Sequence, residues 1–228
     1  MKQLSDMRFV TNAPSPKALC ASEHAKLISG TDGQFPDFGH HSEAEMGGLW
    51  MHPIKVLDGF WLRFKDLEAD NVDTWTLADR YTCAPGENSF DYLSGLGHTR
   101  VTIHRTQLAP ESAPGVVVTY AFANHDDAPR RVEVEWLART ELYPAWYSLD
   151  SHFCEDGQDE GAWDAETNTF RAKDALNPWF AGIRLSDTPD STKVGQFFGP
   201  QQTKGRGVSF SATYHMTLAA QTVRTLTF

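Results

Sequence analysis

The chain has 228 residues, a length that suits one large all-β domain or two smaller domains. It carries 20 basic and 30 acidic residues, and the formal charge of −10 argues against a binder of nucleic acid or of anionic membranes. Apolar residues make up 40% of the sequence and include 7 Trp and 14 Phe, which is enough for a substantial core without disulfide support.

The cysteines and the first residues favour a cytoplasmic location. Cys20, Cys83 and Cys154 are widely spaced and odd in number, so they form neither a disulfide framework nor a CxxC metal pair. Such usage is typical of a reducing compartment. The opening MKQLSDMRFV has no apolar signal-peptide region, and no stretch of the sequence approaches the length of a membrane span.

Alternation of apolar and polar residues dominates the chain, while helical periodicity is weak. The segment PSPKALCASEHAKL is where we predict a short helix, around residues 17–25. Further along, DGFWLRF places Phe60, Leu62 and Phe64 on one face of a predicted strand, and RVTIHRTQLAP alternates in the same way.

The clearest strand lies in the middle of the chain. RRVEVEWLART puts Val132, Val134 and Trp136 on one face and charged residues on the other. The preceding GVVVTYAFANHDDAPRR also alternates, and it ends in the turn-forming residues Asn, Asp and Pro. We therefore predict that residues 116–139 form an antiparallel hairpin.

The whole pattern predicts an all-β protein. NTFRAK, FAGIRLS, GVSFSATYHMTL and QTVRTLTF add strands, and ten or more short strands predict a large two-sheet antiparallel sandwich, supersandwich-like in size, with few or no long helices. We expect residues 1–228 to form a single domain with a less regular lead-in at 1–44. The long irregular stretches 31–48 and 143–166 are candidates for functional loops.

Two polar segments carry metal-ligand side chains without a metal-binding spacing. GHHSEAEMGG holds His40, His41, Glu43 and Glu45, which do not form HExxH. LDSHFCEDGQDEGAWD holds six carboxylates but lacks the order of an EF-hand loop. Solvated loops are the favoured interpretation and metal sites the alternative, so we predict no metal and no cofactor.

Aromatic residues in irregular segments are the candidate contact surface. They occur in EMGGLWMHPIKVLDGFWLRF, ELYPAWYSLDSHF and NPWF, and they suit either carbohydrate or interdomain contact or burial in the core. Trp61 and Trp136 alternate with strand partners and are predicted to be core. The candidate contact residues are Trp50, His52, Tyr143, Trp146, Tyr147 and Trp179.

Three segments resemble the N-terminal β-sandwich of glycogen-debranching-type, amylo-glucosidase-like glycoside hydrolases. They are GGLWMHPIKVLDGFWLRF, GVVVTYAFANHDDAPRRVEVEWLARTEL and VSFSATYHMTLAAQTVRTLTF. The middle segment carries the pattern N-x-D-x-x-P-R-x-V-x-V, and the last one ends on L-x-x-x-x-x-x-L-x-F. The matching positions are Asn124, Asp126, Pro129, Arg130, Val132 and Val134, followed by Leu218, Leu226 and Phe228.

The resemblance implies a supporting role. In such proteins the catalytic acid and base lie on an α/α toroid that follows the sandwich. We therefore expect this chain to be a fragment or a separately made module of a larger glycoside hydrolase, and its catalytic residues are unknown. The implied partners are an α-glucan and a C-terminal catalytic domain. Trp50, Met51 and His52 would then form a rim or an interdomain contact, or else close the sandwich core.

Two other functions stay open. A stand-alone mutarotase-like or epimerase-like enzyme would place a histidine and a carboxylate on one sheet face as acid and base. Its candidates are His104, His125, His152, His215, Glu133 and Glu135. A ligand-free interaction module would instead expose an apolar patch near Trp50 or Trp146. The sequence contains neither a GxSxG elbow nor a P-loop.

Overall fold

The computed structural model describes residues 9–11, 17–35, 47–69, 72–93, 96, 99–145, 151–203 and 205–228. These residues form seventeen β-strands and no helix, which confirms the all-β prediction. The strands are β1 Phe9–Thr11, β2 Ala18–Ala21, β3 Lys26–Ser29, β4 Gly48–Met51, β5 Ile54–Asp66, β6 Asp73–Trp75, β7 Arg80–Ala84, β8 Glu87–Tyr92, β9 Val101–Leu108, β10 Val117–Asn124, β11 Arg130–Pro144, β12 Asp159–Asp164, β13 Thr169–Asp174, β14 Phe180–Arg184, β15 Ser191–Gly195, β16 Ser209–Leu218 and β17 Val223–Thr227. Within the ranges given above, no helix is long and apolar enough to cross a membrane.

The strands form three open antiparallel sheets. Sheet A has the order β1-β7-β8-β9-β10-β17. Sheet B has the order β15-β16-β11-β5-β4-β3-β2, with β6 also paired to β5, and sheet C has the order β12-β13-β14. The predicted helix around residues 17–25 is wrong, because that segment turns from β2 into β3. Its alternating burial fits a strand.

The predicted hairpin over residues 116–139 is also wrong. β10 pairs with β9 and β17 in sheet A, whereas β11 pairs with β5 and β16 in sheet B. The turn between them therefore crosses from one sheet to the other. Asn124 braces this crossing, because its amide nitrogen donates to the carbonyl oxygens of Ala128 and Leu218 at 2.9 and 3.1 Å. Alternation within each strand is the same in a hairpin and in a crossing, so the pattern did not distinguish them.

The core lies between sheet B and the other two sheets. Trp136 of sheet B stacks on Phe228 at a centroid distance of 4.3 Å and on Phe60 at 5.9 Å. Phe210 shares the face of Trp136, because it lies two positions from the residue paired with Trp136. Phe210 is covered by Phe170 of sheet C, with ring centroids 4.9 Å apart. Sheets A and C therefore lie side by side on one face of sheet B.

Sheets A and C are joined just after β14. The backbone N–H of Ser186, just after β14, donates to the carbonyl oxygen of Thr227 at 2.8 Å. The backbone N–H of Thr227 in turn donates to the Ser186 hydroxyl at 3.0 Å. Beside this junction a cleft separates the two sheets.

Candidate functional site

The opening between sheets A and C is a cleft of about 610 Å³. Its lining comes from residues 110 and 113–118, in β10 of sheet A and the turn before it, from β14 and the residues that follow it, and from the facing part of sheet B. A volume of this size is ordinary for a binding site. We call it the A–C cleft.

Aromatic and aliphatic side chains form most of the A–C cleft. Phe60, Trp136 and Phe228 form a stack of rings that lines it, and Met51 contributes a flexible apolar side chain. Phe180 lines the cleft from β14 and is 80% exposed. Phe60 and Trp136 are themselves only 1% and 2% exposed, so the accessible apolar surface of the cleft comes from Phe180 and from the half-buried Met51 and Phe228.

The predicted contact residues occupy a different place. Lys55 is the pairing partner of both Trp50 on β4 and Tyr143 on β11, so the three side chains form one row across sheet B. Trp50 is only 5% exposed. Its ring stacks on that of the exposed His52 at 5.4 Å between centroids, so His52 is the accessible member of the pair.

The remaining candidates are dispersed. Trp179 is half-buried and packs against the core beside sheet C. Trp146 and Tyr147 lie outside the described residues, as do His40, His41, Glu43 and Glu45. Of the predicted contact residues, the structure thus brings together Trp50, His52 and Tyr143 around Lys55.

A buried charge cluster continues from this row, and the sequence interpretation missed it. It consists of Lys55, Asp58, Arg139 and Glu141, each 4% exposed or less. The ammonium of Lys55 lies 2.7 Å from one carboxylate oxygen of Asp58, and Nε of Arg139 lies 3.6 Å from the other. Charged residues inside the apolar run IKVLDGFW were the available signal, because lysine and aspartate are rarely buried without a partner.

Arg139 and Glu141 attach the loop before β16 to sheet B. The Arg139 guanidinium donates to the Gln196 side-chain oxygen at 3.3 Å and lies 4.7 Å from the centre of the Phe198 ring. The Glu141 carboxylate accepts hydrogen bonds from the backbone N–H groups of Arg206 and Gly207 at 3.2 and 3.0 Å. A side chain at position 207 would collide with the Thr140 carbonyl, so glycine is required for this close approach.

Burial changes the proton affinity of the carboxylates at this junction. Desolvation, aided by the negative charge of Asp58, raises the pKa of Glu141 to about 8. Desolvation also raises the pKa of Asp159 to about 6, although that carboxylate accepts hydrogen bonds from the Thr140 hydroxyl and the Leu142 N–H at 2.7 and 3.1 Å. The carboxylates hold β12 and the loop before β16 against the end of β11.

The described part of the chain contains no group of three or more His, Cys, Asp or Glu side chains that could hold a metal ion. Within the acidic segment, Asp159 is occupied by the contacts just given, and Asp164 caps a turn and pairs with Arg171 at 3.0 Å. Asp159 and Asp164 therefore have structural roles, and Asp150 lies outside the described residues.

Histidine–carboxylate pairs occur on the outward faces of the sheets. Nε2 of His215 lies 3.4 Å from Glu133, and Nδ1 lies 3.3 Å from Asp190. Nδ1 of His104 lies 2.6 Å from Asp91. None of these residues lines the A–C cleft or the second cavity, which lies over the outward face of sheet C.

No protein-family description matches the chain, and no curated protein matches it. Among solved structures, 45 chains match. One carries the name of a kojibiose phosphorylase from the human microbiome; it is 12% identical, with a TM-score of 0.46, and the match covers 96% of this chain and 31% of that one. This chain therefore spans about a third of that protein's length.

Proposed function

We propose that this chain is an accessory, non-catalytic β-sandwich of an α-glucan-directed glycoside hydrolase, similar to those of the glycogen-debranching type. The proposal combines the sequence resemblance with the sandwich fold. The chain would pack on a helical catalytic toroid and shape the substrate cleft of that domain. The observation that carries the packing role is the A–C cleft.

The lining of the cleft favours a protein partner over a sugar. Sugar sites surround an aromatic platform with side chains that hydrogen-bond to hydroxyl groups, whereas this cleft has few polar groups. Two of them, Ser186 and Thr227, already bond to each other. Aromatic residues and methionine are enriched at protein interfaces, and the accessible Met51, Phe180 and Phe228 are of this kind.

A contact with glucan is proposed for the row around Lys55. His52 is exposed over Trp50, and Tyr143 is half-buried at the other end of the row. The imidazole of His52 covers Trp50 on its solvent side, and Tyr143 adds a second aromatic ring. We propose that they make a weak contact with glucan at the edge of a substrate cleft that the toroid would complete.

Two measurements test the accessory role. The chain alone is expected to release no reducing sugar from maltooligosaccharides or glycogen, and hydrolysis at a measurable rate would overturn the non-catalytic part. The reading frame after codon 228 is expected to continue into a helical domain, or a neighbouring gene is expected to encode one. A genome with neither would overturn the packing role.

A titration separates the glucan contact from the packing role. Adding maltooligosaccharides up to millimolar concentration should shift the backbone amide resonances near His52 in an NMR spectrum, and a His52→Ala variant should abolish these shifts. An unchanged spectrum would remove the glucan contact and leave the packing role standing.

A mutarotase-like activity is the second candidate, and His215 favours it. This residue lies between Glu133 and Asp190 at 3.4 and 3.3 Å, so a carboxylate is within reach of each ring nitrogen, although the group lies on an exposed sheet face outside both cavities. Polarimetry of freshly dissolved α-glucose tests it. Acceleration that disappears in His215→Asn would support this activity, and no acceleration would end it.

A further inference from the structure

We infer that the A–C cleft accepts an extended segment of a partner polypeptide, which adds a strand to the free edge of β14 and places alternate side chains on the apolar floor. This inference rests on the proposed function, because it names the form in which a protein partner would occupy the cleft. It has its own test.

The hydrogen-bond pattern of sheet C leaves one edge of β14 unpaired. The Asp174 N–H donates to the Trp179 carbonyl, and the Leu185 N–H donates to the Asn168 carbonyl. In an antiparallel pair only alternate residues bond to the neighbour, so residues 179, 181, 183 and 185 face β13. The N–H and C=O groups of Phe180, Gly182 and Arg184 therefore point away from sheet C, and in the described part of the chain no strand pairs with that edge.

The side chains along this edge leave it open. Residues 180, 182 and 184 are exposed, and no atom lies within 4 Å of the place where a Cβ on Gly182 would be. β14 has neither a proline nor a register shift, two of the devices that protect exposed edges. A strand edge of this kind is a template for pairing with another chain.

The edge and the cleft form one site. Residues 180–186 all line the cleft, and the accessible floor beyond them is formed by the half-buried Met51 and by the half-buried Phe228, which stacks on the buried Trp136. A strand added to β14 would direct every second side chain towards that floor and the intervening ones to solvent. Main-chain hydrogen bonds would give affinity, and the floor would select apolar residues.

Charge selects the outward side chains of the partner strand. On the outward face of sheet C, Lys173 pairs with Glu160 at 3.0 Å and Arg171 pairs with Asp164 at 3.0 Å. Arg184 makes no ion pair with any described residue and is exposed at the free edge. The occupant is therefore an extended segment that alternates apolar residues with acidic ones. An acidic side chain opposite Arg184 in a cross-strand pair adds a favourable contact.

A labelled heptapeptide that alternates valine with glutamate tests the inference by fluorescence anisotropy. The full chain is expected to bind it saturably. Two further peptides carry N-methyl groups on the glutamates or on the valines, and one of the two should lose binding, because strand pairing uses one set of N–H groups. Equal binding of all three would show that the cleft holds side chains without strand pairing, and would overturn the inference.

Two variants at one position locate the pairing on β14. Gly182→Pro removes an N–H that faces the free edge and leaves the bonds to β13 intact, so peptide affinity should fall by about tenfold. Gly182→Ala keeps the N–H and should bind as the unchanged chain does. A matching thermal transition for both variants controls for folding. Equal affinity in both variants would contradict pairing at this edge.

A charge exchange tests the side-chain preference. Arg184→Glu should weaken binding of the glutamate peptide and strengthen binding of the same peptide with lysine in place of glutamate. Light scattering covers the other occupants. A dimer that forms without peptide and excludes it would assign the edge to a second copy, and no binding of any peptide by a monomer would end the inference. Neither result bears on hydrolysis or on the reading frame.

Discussion

The two faces of sheet B bury different groups. Arg139 lies on the face opposite Trp136, where it belongs to a charge cluster that is sealed from solvent. On the Trp136 face, Trp136 and Phe60 are buried, while Phe228 and Met51 are half-buried and line the A–C cleft. Loss of one partner of a buried charge pair destabilises a fold strongly, whereas half-buried apolar side chains in a cleft gain further burial when a partner binds. The first face therefore has a structural role, and the edge of the second is where a partner would dock.

Removing the Asp58 carboxylate should cause the largest loss in the free energy of unfolding. Asp58→Ala leaves Lys55 and Arg139 buried without their common carboxylate, and loss of one partner of a buried pair typically costs about 3–5 kcal/mol. Urea denaturation of the variant measures this loss. Asp73→Ala is the control, because Asp73 pairs with Arg63 on the exposed surface, where such pairs contribute about 0–1 kcal/mol. Equal losses in the two variants would show that the charge cluster does not stabilise the fold.

Glu141 should make stability depend on pH. Its pKa is raised to about 8 from 4.5, so the folded state holds a proton that the unfolded state has released between these values. The free energy of unfolding contributed by this group is therefore fully present below about pH 4.5 and falls as pH rises through about 8. Denaturation series between pH 6 and 9 should show this fall in the unchanged chain, and a flatter profile in Glu141→Gln. The same slope in both would assign the titration to another group.

The sequence predicted the faces of the strands better than their partners. Phe60, Leu62 and Phe64 are buried together as the alternation indicated, and Arg105 is buried with Val101 and Ile103 because its guanidinium lies 3.9 Å from the centre of the Phe90 ring. The pairing of strands is harder to predict from the sequence, because the alternation inside a strand is the same whichever strand lies beside it. The predicted hairpin failed for this reason.

The site depended on contacts between distant segments. Asp58 and Arg139 are far apart in the sequence and meet through the pairing of β5 with β11. The A–C cleft arises because sheets A and C fail to close into one layer, which no local pattern encodes. Irregular surroundings predict that an aromatic residue is exposed, yet Trp50 is only 5% exposed. In NPWF, the exposed ring is that of Phe180.

The pKa of His52 is sensitive to its surroundings beside Trp50. Desolvation and the nearby charge of Lys26 lower the pKa of His52, so both favour the neutral form of the ring that stacks on Trp50. Lys26→Ala removes one of the two causes and should raise the pKa of His52 towards its ordinary value, which an NMR titration of the imidazole resonances measures. An unchanged pKa would leave desolvation as the whole cause.

Phe180 should show the smallest effect on stability, and that small effect sharpens the comparison. Its side chain is 80% exposed at the cleft, so Phe180→Ala removes little buried area and should change the free energy of unfolding by about 0.5 kcal/mol or less. Phe170→Ala is the matched control on the neighbouring strand, because that ring is fully buried against Phe210 and its loss should cost about 3–5 kcal/mol. A small effect would show that folding does not require Phe180. Its apolar side chain would then be available to contact a partner in the cleft. A large loss of stability in Phe180→Ala would mean instead that the ring holds sheet C in place, and the open face would then be structural as well.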